Sequence, residues 1–510
     1  MARLLTVCII TILTTIPVFA QSVDTAWTRR YNGSGDYFDE ANDMAIDKAG
    51  NAYVTGVSSG NGTGFDYSTI KYDSEGNEVW VKTYDNGSDY AFAVAADNWG
   101  NVSVAGRSDG AGTYEDYVTI KYTPEGDTAW LRRYNRSGYS KDYAFDVAVD
   151  ATGMVYVTGY TELNASNEDY LTMKYYPFFG DTAWVRTYDG KANYLDEAFA
   201  ITVDDSGNVY VTGQSYGNGT YWDYLTIKYY SNGDTAWTRR YDGPAHYWDW
   251  AIAIATDDYG NVYVTGGSYG VGSNFDYVTI KYYPNGDAAW IRTYDGPGNY
   301  VDMAYTISVD NNGNVYVSGG SYGIGSGLDY LTIRYRPNGD VAWVRRYDGP
   351  GHGEDVTNAL ALDVLANVYV TGGSSDSASL SSDYCTIKYD SSGNELWLKR
   401  YNGPGDGYDV AHAISVDGSG NVYVTGGSAG SGTDVDYLTI KYVQFLCGDA
   451  NADGKVSLPD IVFVVSYLFK HGRPPEPMQC GDANNDGKVT IADIVYLVAY
   501  LFKFGPPPIC

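Results

Sequence analysis

One sentence of sequence is repeated through most of this chain, and such a chain can fold only as an array or ring of equivalent units. A Trp followed two residues later by a base stands at Trp27, Trp80, Trp130, Trp184, Trp237, Trp290, Trp343 and Trp397, in steps of 53, 50, 54, 53, 53, 53 and 54 residues. A second phrase, Asp-Tyr-x-Thr-x-Lys-Tyr, opens at Asp66, Asp116, Asp169, Asp223, Asp276, Asp329, Asp383 and Asp436, with Arg334 once in place of the Lys. A third, typified by Gly207-Asn208-Val209-Tyr210-Val211-Thr212-Gly213, also occurs eight times and weakens at Ser103, Ala105, Met154 and Ala366.

Each period reads as four strands. In one copy they are Ala251 to Asp257, Asn261 to Gly266, Asp276 to Tyr282 and Ala288 to Tyr294, rich in Val, Ile, Thr and Tyr and bounded by Gly, Asp, Asn or Pro. Asp257-Asp258-Tyr259-Gly260-Asn261 and Pro284-Asn285-Gly286-Asp287 supply tight turns. Four short antiparallel strands per fifty-odd residues is the arithmetic of a β-propeller blade, whereas a β-sandwich needs about seven strands and about 100 residues per unit. The chain enters the repeat at the Trp strand, Asp24 to Tyr31, and leaves it after Asp436 to Tyr442. With the Ala-rich strand innermost and the Trp strand outermost, the last blade lacks its outer strand and the N-terminal segment supplies it, which hides both edges. The expected fold is therefore an all-β, eight-bladed propeller over residues 21–443, its eighth blade built from residues 24–31 and 411–442.

These units resemble the bacterial repeats grouped as the seven-bladed beta-propeller repeat family, on the GNVYVTG and DYLTIKY-type phrases. The resemblance covers about residues 24–442, with eight copies rather than seven, and implies exported or surface proteins without implying a reaction. The charge agrees with that setting. With 33 basic and 63 acidic residues the formal net charge is −30, which excludes binding to nucleic acid or anionic lipid through a basic surface. Four His, against 53 Tyr and 61 Gly, leave little imidazole for catalysis.

The first 20 residues read as a secretory signal peptide. Met1-Ala2-Arg3 is a short positive region, Leu4 to Val18 an apolar one, and Val18-Phe19-Ala20 a small-residue cleavage site. No other segment has the roughly 20 apolar residues of a membrane span. The expected location is outside the cell or on its surface.

From Cys447 to Cys510 the language changes. Asp449, Asn451, Asp453, Lys455, Ser457 and Asp460 stand at positions 1, 3, 5, 7, 9 and 12 of a loop with Gly454 at position 6. Asp482, Asn484, Asp486, Lys488, Thr490 and Asp493 repeat the pattern 33 residues later, with Gly487 at position 6. A hard cation such as Ca2+ takes six to eight oxygens, and an EF-hand-type loop gathers them from alternating side chains and the carbonyl at position 7. Each loop runs into an apolar stretch read as a helix, Ile461 to Phe469 and Ile494 to Phe502. The two loop–helix halves closely resemble a type I dockerin over residues 447–510. That resemblance implies two calcium ions, a small α-helical domain and docking onto a cohesin, through loop positions 10 and 11: Leu458 with Pro459, and Ile491 with Ala492. It also favours a Cys447–Cys510 disulfide, since dockerin ends lie close together, and leaves the pairing of Cys480 open. Cys385, in a propeller strand, reads as a buried small hydrophobe.

Within the propeller, an Asp precedes every inner strand, at Asp39, Asp89, Asp142, Asp196, Asp249, Asp302, Asp355 and Asp409. The eight can ring the channel as a cation site or simply fix the loop entering each blade, and their regularity favours the second. The recurring bases, such as Lys228 and Arg239, are expected as cross-strand partners of repeated Asp residues. No metal-ligand spacing, phosphate loop, nucleophile elbow or distinct carboxylate pair nominates a catalytic residue. The departures from the repeat are a better lead. His246, Tyr247, Trp248 and Trp250 form one aromatic loop that suits a glycan or protein ligand, or packing between blades. The functional expectation is an exported, non-enzymatic interaction or scaffold protein attached through its calcium-dependent module to a cohesin-like or cell-surface partner. The alternative is a secreted carbohydrate-binding or carbohydrate-active propeller delivered to a complex by that module.

Overall fold

The computed structural model describes residues 21–509 apart from 63, 111–113, 137–139, 165–166, 193, 376–380, 454 and 504. Residues 1–20, which carry the signal-peptide reading, lie outside the described residues. The chain divides into two compact units, Thr25–Val443 and Gln444–Cys510 with the residues before Thr25.

The first unit is a propeller of eight four-stranded sheets. Blade 5 is representative: Asp249–Thr256, Val262–Tyr269, Phe275–Tyr282 and Ala288–Tyr294 pair in that order. The sequence placed the end of the second strand at Gly266, but the ladder continues through Ser268↔Asp276 and Tyr269↔Phe275. Gly266 is interior because the inner strand crosses it closely: a Cβ there would lie 1.9 Å from the Trp250 carbonyl oxygen. The inner strand likewise begins two residues earlier than expected, at Asp249, which is opposite Ser268. In all eight blades the register of the innermost strand skips one residue, and the skipped positions are Asn42, Phe92, Phe145, Phe199, Ile252, Tyr305, Asn358 and His412. A bulge of this kind re-aims one side chain out of the ladder.

Blades are joined by side chains that reach the next blade's backbone. Trp237 Nε1 donates to the Pro284 carbonyl at 3.0 Å, and Arg239 Nε donates to that of Gly286 at 2.6 Å. The buried Tyr224 hydroxyl donates to the Val278 carbonyl at 3.2 Å. Tyrosine suits this place because one side chain fills the apolar interface and still satisfies a buried carbonyl. The recurring bases thus divide. Lys121 meets Asp97 of its own blade at 3.1 Å, but Lys228, expected as a cross-strand partner of an Asp, donates to the Pro284 carbonyl of the next blade at 3.4 Å. Arg239 does not pair across its own sheet: it spans two blades, binds a carbonyl and lies over the Trp237 ring. The Asp of the third strand is held instead by the following base, Arg240, at 2.8 Å from Asp223.

Closure follows the expected phase. Gln21–Tyr31 is the outer strand of the blade formed by Asp409–Val416, Val422–Ala429 and Val435–Leu446. The joint between eighth and first blades repeats the others: Tyr437 donates to the Ser68 carbonyl at 3.2 Å, and Trp27 Nε1 to that of Ser74 at 3.2 Å. Cys385 is fully buried and free, and burial pushes its thiol up to about 12.

The second unit holds two helices, α1 (Leu458–Lys470) and α2 (Ile491–Lys503). Ile461, Ala483 and Leu497 form its small core, flanked by Val465, Ile494 and Leu501. The chain end returns to the second loop, where Ile509 N donates to the Ala483 carbonyl at 3.2 Å. Cys447 is disulfide-bonded and Cys480 is free; the expected partner, Cys510, lies outside the described residues.

Candidate calcium centre and the propeller's inner face

The two loops are built alike. The side chains of Asp449 and Asn451 accept from the Asp453 amide at 3.0 and 2.9 Å, and Asp482 and Asn484 accept from the Asp486 amide, both at 3.1 Å. The position-12 carboxylates close each loop. Asp460 accepts from the amides of Asn451 and Ser457 at 3.1 and 2.7 Å, and Asp493 from those of Asn484 and Thr490 at 3.2 and 2.7 Å. Asp460 also caps α1 as the third residue after Ser457, and Pro459 fits the first turn, where no amide partner is needed.

Asp460 and Asp493 are fully buried, and Asp449 and Asp482 nearly so. Among the described residues no basic side chain pairs with Asp453, Asp460, Asp482, Asp486 or Asp493. Burial pushes Asp460 above the usual carboxylate range against the amides that hold it, and the charge of Asp449 adds to the rise. Asp493 shifts the same way beside Asp482 and Asp486. Carboxylate, amide and hydroxyl oxygens at alternating positions, with neither nitrogen nor sulfur, are the donor set of a hard cation. The side chains of Lys455 and Lys488 are exposed, so their contribution is the carbonyl. All twelve anticipated loop residues therefore lie in two compact turns that fit calcium.

Leu458, Pro459, Ile491 and Ala492 are exposed at the helix starts. The sequence reading missed their continuation. Val462 and Phe469 on α1, and Val495 and Phe502 on α2, are each at least 60% exposed. With Leu458 and Ile491 they mark one apolar stripe per helix, at steps of four and seven residues. That spacing was legible in the duplicated segments, but the core was the obvious place for such residues.

On the propeller, each inner-strand Asp is buried and braces the loop entering its blade. Asp249 accepts from the Gly243 amide and Asp302 from that of Gly296, each at 2.6 Å. His246 is exposed and its Nδ1 lies 2.7 Å from Asp242. Tyr247 stacks on Trp248 and Trp248 on Trp250, with centroids 4.8 and 6.0 Å apart. Trp250 lines an open cavity of about 530 Å³ with Phe92, Phe145, Phe199, Ile252 and Gln214. Phe92, Phe145, Phe199 and Ile252 are bulged inner-strand residues, and a bulge leaves no mark in the hydrophobic pattern of a sequence. Across the channel the bulged positions are polar: His412 Nε2 lies 2.8 Å from Glu40, and Asn358 donates to the Ala411 carbonyl at 2.9 Å. The ring is symmetric in backbone and asymmetric in lining.

A closed eight-bladed propeller followed by paired calcium loops defines a repeat protein with a docking module. Comparison with known families agrees: residues 447–502 match the Dockerin type I domain, and residues 26–62 and 186–219 match the Beta-propeller repeat. The C-terminal unit is a type I dockerin, a calcium-binding module, and Thr25–Val443 is a propeller in which two segments match the beta-propeller repeat. An uncharacterized WD repeat-containing protein of Acanthamoeba polyphaga mimivirus is 25% identical over 350 residues, covering 55% of this chain. The chain spans only 24% of that relative's length. The crystal structure of quinohemoprotein alcohol dehydrogenase from Comamonas testosteroni superposes with a TM-score of 0.51 at 11% identity, over 83% of this chain and 78% of that one. At that identity the likeness shows a shared propeller fold alone. Among the described residues no helix is long and apolar enough to cross a membrane.

Proposed function

We infer that this is an exported scaffold or interaction protein whose dockerin attaches the propeller to a cohesin-like or cell-surface protein. The observation that carries the reading is the pair of exposed apolar stripes, Leu458–Val462–Phe469 and Ile491–Val495–Phe502, on the two helices that the calcium loops start. Each loop takes one Ca2+, two per module. The cation joins carboxylates that otherwise repel, and so fixes the first turn of each helix and the stripe on it. The small core makes this contribution necessary. Secretion through residues 1–20 is part of the same reading.

Capture of a cohesin domain by the full chain tests it. Binding is expected in calcium and lost in chelator. The Leu458→Asp, Ile491→Asp double variant is expected to lose capture while keeping its calcium-dependent folding. Capture that survives both the chelator and the double variant refutes the reading.

The cavity beside Trp250 favours one further reading, a propeller that binds a glycan. An aromatic wall with Gln214 beside it suits a sugar ring, which presents both C–H faces and hydroxyls. Glycan-array binding that disappears in Trp250→Ala supports it, and an array blank for the wild-type chain removes it.

A further inference from the structure

The bulges turn one residue of every inner strand toward the channel, and on three successive blades that residue is Phe. Phe92, Phe145 and Phe199 follow one another with ring centroids 5.7 Å apart at both steps and planes inclined by 52° and 55°. Rings inclined in this way curve around a space, whereas a platform for a flat ligand needs parallel ones. They wall the cavity of about 530 Å³ together with Ile252 and with Gln214 and Trp250, the residues on which the glycan reading rests.

The same three phenylalanines line an adjoining cavity of about 360 Å³ with Asp43 and Asp146. Both acids depart from the repeat. The residue after the bulge is Ala in five blades, at Ala93, Ala200, Ala253, Ala359 and Ala413, and Thr306 in a sixth. Asp43 accepts from the amides of Met44 and Val94, and Asp146 from those of Val147 and Ile201, all at 2.8 Å. Six of the eight joints close without a carboxylate at this place, so the fold does not require these bonds. One amide on each oxygen leaves half of each carboxylate's acceptor capacity toward the channel. Among the described residues no cation pairs with either acid.

No Lys or Arg lines either cavity. The one imidazole, His412, is engaged by Glu40 at 2.8 Å. Desolvation raises both carboxyls, so a positive group beside them is what favours their ionised form. The molecule already holds one cation by this chemistry. Tyr90 and Tyr143, two residues before the bulges of Phe92 and Phe145, carry the Arg107 guanidinium over their rings at 4.2 and 4.8 Å, and Glu115 neutralises it at 2.6 Å.

We propose that the aromatic half of the channel binds a compact organic cation, an ammonium group carrying methyl substituents. The phenylalanine rings attract its spread positive charge, and Asp43 and Asp146 supply the counter-charge. Methyl groups weaken its hydration, so it leaves water for an apolar wall where a metal ion or bare ammonium does not. A cleft whose charges are of one sign also concentrates such a ligand.

Calorimetric titration of the full chain tests the proposal with two probes of one shape: choline, and the uncharged alcohol in which tert-butyl replaces its trimethylammonium group. Choline is expected to bind once per chain, and the alcohol about tenfold more weakly or not at all. Phe145→Leu keeps an apolar wall without a π system; it is expected to weaken choline by about tenfold and leave the alcohol unchanged. The Asp43→Asn, Asp146→Asn variant is expected to do the same. A peptide bearing trimethyl-lysine, titrated in parallel, distinguishes the sources of the group: tighter binding than choline places it on a partner protein, and weaker binding makes it a free solute. Equal affinity of the wild type for choline and the alcohol means that the cavity is merely apolar, and overturns the proposal. Absence of choline and peptide binding at millimolar concentration also overturns it, and a glycan array that is positive in that case leaves the glycan reading standing.

Discussion

Ala366 sits at φ +60° where the seven sister turns all place Gly, among them Gly260 at φ +74° and Gly313 at φ +75°. A left-handed residue with a Cβ costs about 1–2 kcal/mol, partly offset by the larger freedom of Gly in the unfolded chain. Ala366→Gly is therefore expected to raise stability by ~0.5–1 kcal/mol, read from chemical unfolding. The outer-hairpin glycines are under a different constraint. At Gly286, φ +86°, a Cβ would meet the Trp237 ring and the Arg239 guanidinium, each at 2.9 Å. Gly286→Ala is expected to cost about 1–3 kcal/mol in the same assay, and more than Gly260→Ala, whose Cβ meets nothing nearer than 3.7 Å. Ala366 was legible in the sequence as a broken phrase. The role of Gly286 was not, because its partner Trp237 lies in another blade, 49 residues away. Gly266 misled outright, since a glycine needed for close approach looks in sequence like one that ends a strand.

At the level of elements, strand number, order and phase were legible because the period is fixed and the alternation strong. The bulge was not: one skipped residue leaves no mark in hydrophobic pattern, yet it turns Phe92, Phe145 and Phe199 toward the channel. The helices of the dockerin were legible only through their loops, as nine apolar residues alone read equally well as a strand. Their dependence on the loops gives a direct expectation. Removing calcium should abolish the helical signal and protease resistance of residues 447–510 while the propeller's β signal persists. Proteolysis followed by mass spectrometry distinguishes the two units. The closing strand carries a second expectation. Tyr437→Phe removes the hydroxyl that reaches Ser68 and leaves that carbonyl buried, for a loss of about 1–2 kcal/mol; equilibrium unfolding checks it.

Across the whole molecule, the channel holds the clearest pH dependence. Asp43 and Asp146 are half-buried and line the cavity walled by the inner strands. Desolvation there pushes each carboxyl up to about 7, and the charge of Asp43 adds to the rise at Asp146. A folded-state value above the unfolded one of about 4 means that protonation favours the fold. The stabilisation is full below about pH 4 and is lost as pH climbs through about 7. Between about pH 5 and 8 the wild type should lose more stability than an Asp43→Ala, Asp146→Ala variant, and parallel curves from pH-dependent unfolding would contradict this. The closure of the ring has a consequence in time. The strand Gln21–Tyr31 is the first part of the propeller to leave the ribosome and the last to find its place, because its neighbour, Val435–Leu446, is made some 400 residues later. Seven blades can assemble in order of synthesis while that strand waits. The propeller is thus sealed only by the arrival of its final strand, and a chain cut short anywhere before it keeps an open seam that a quality-control protease can enter.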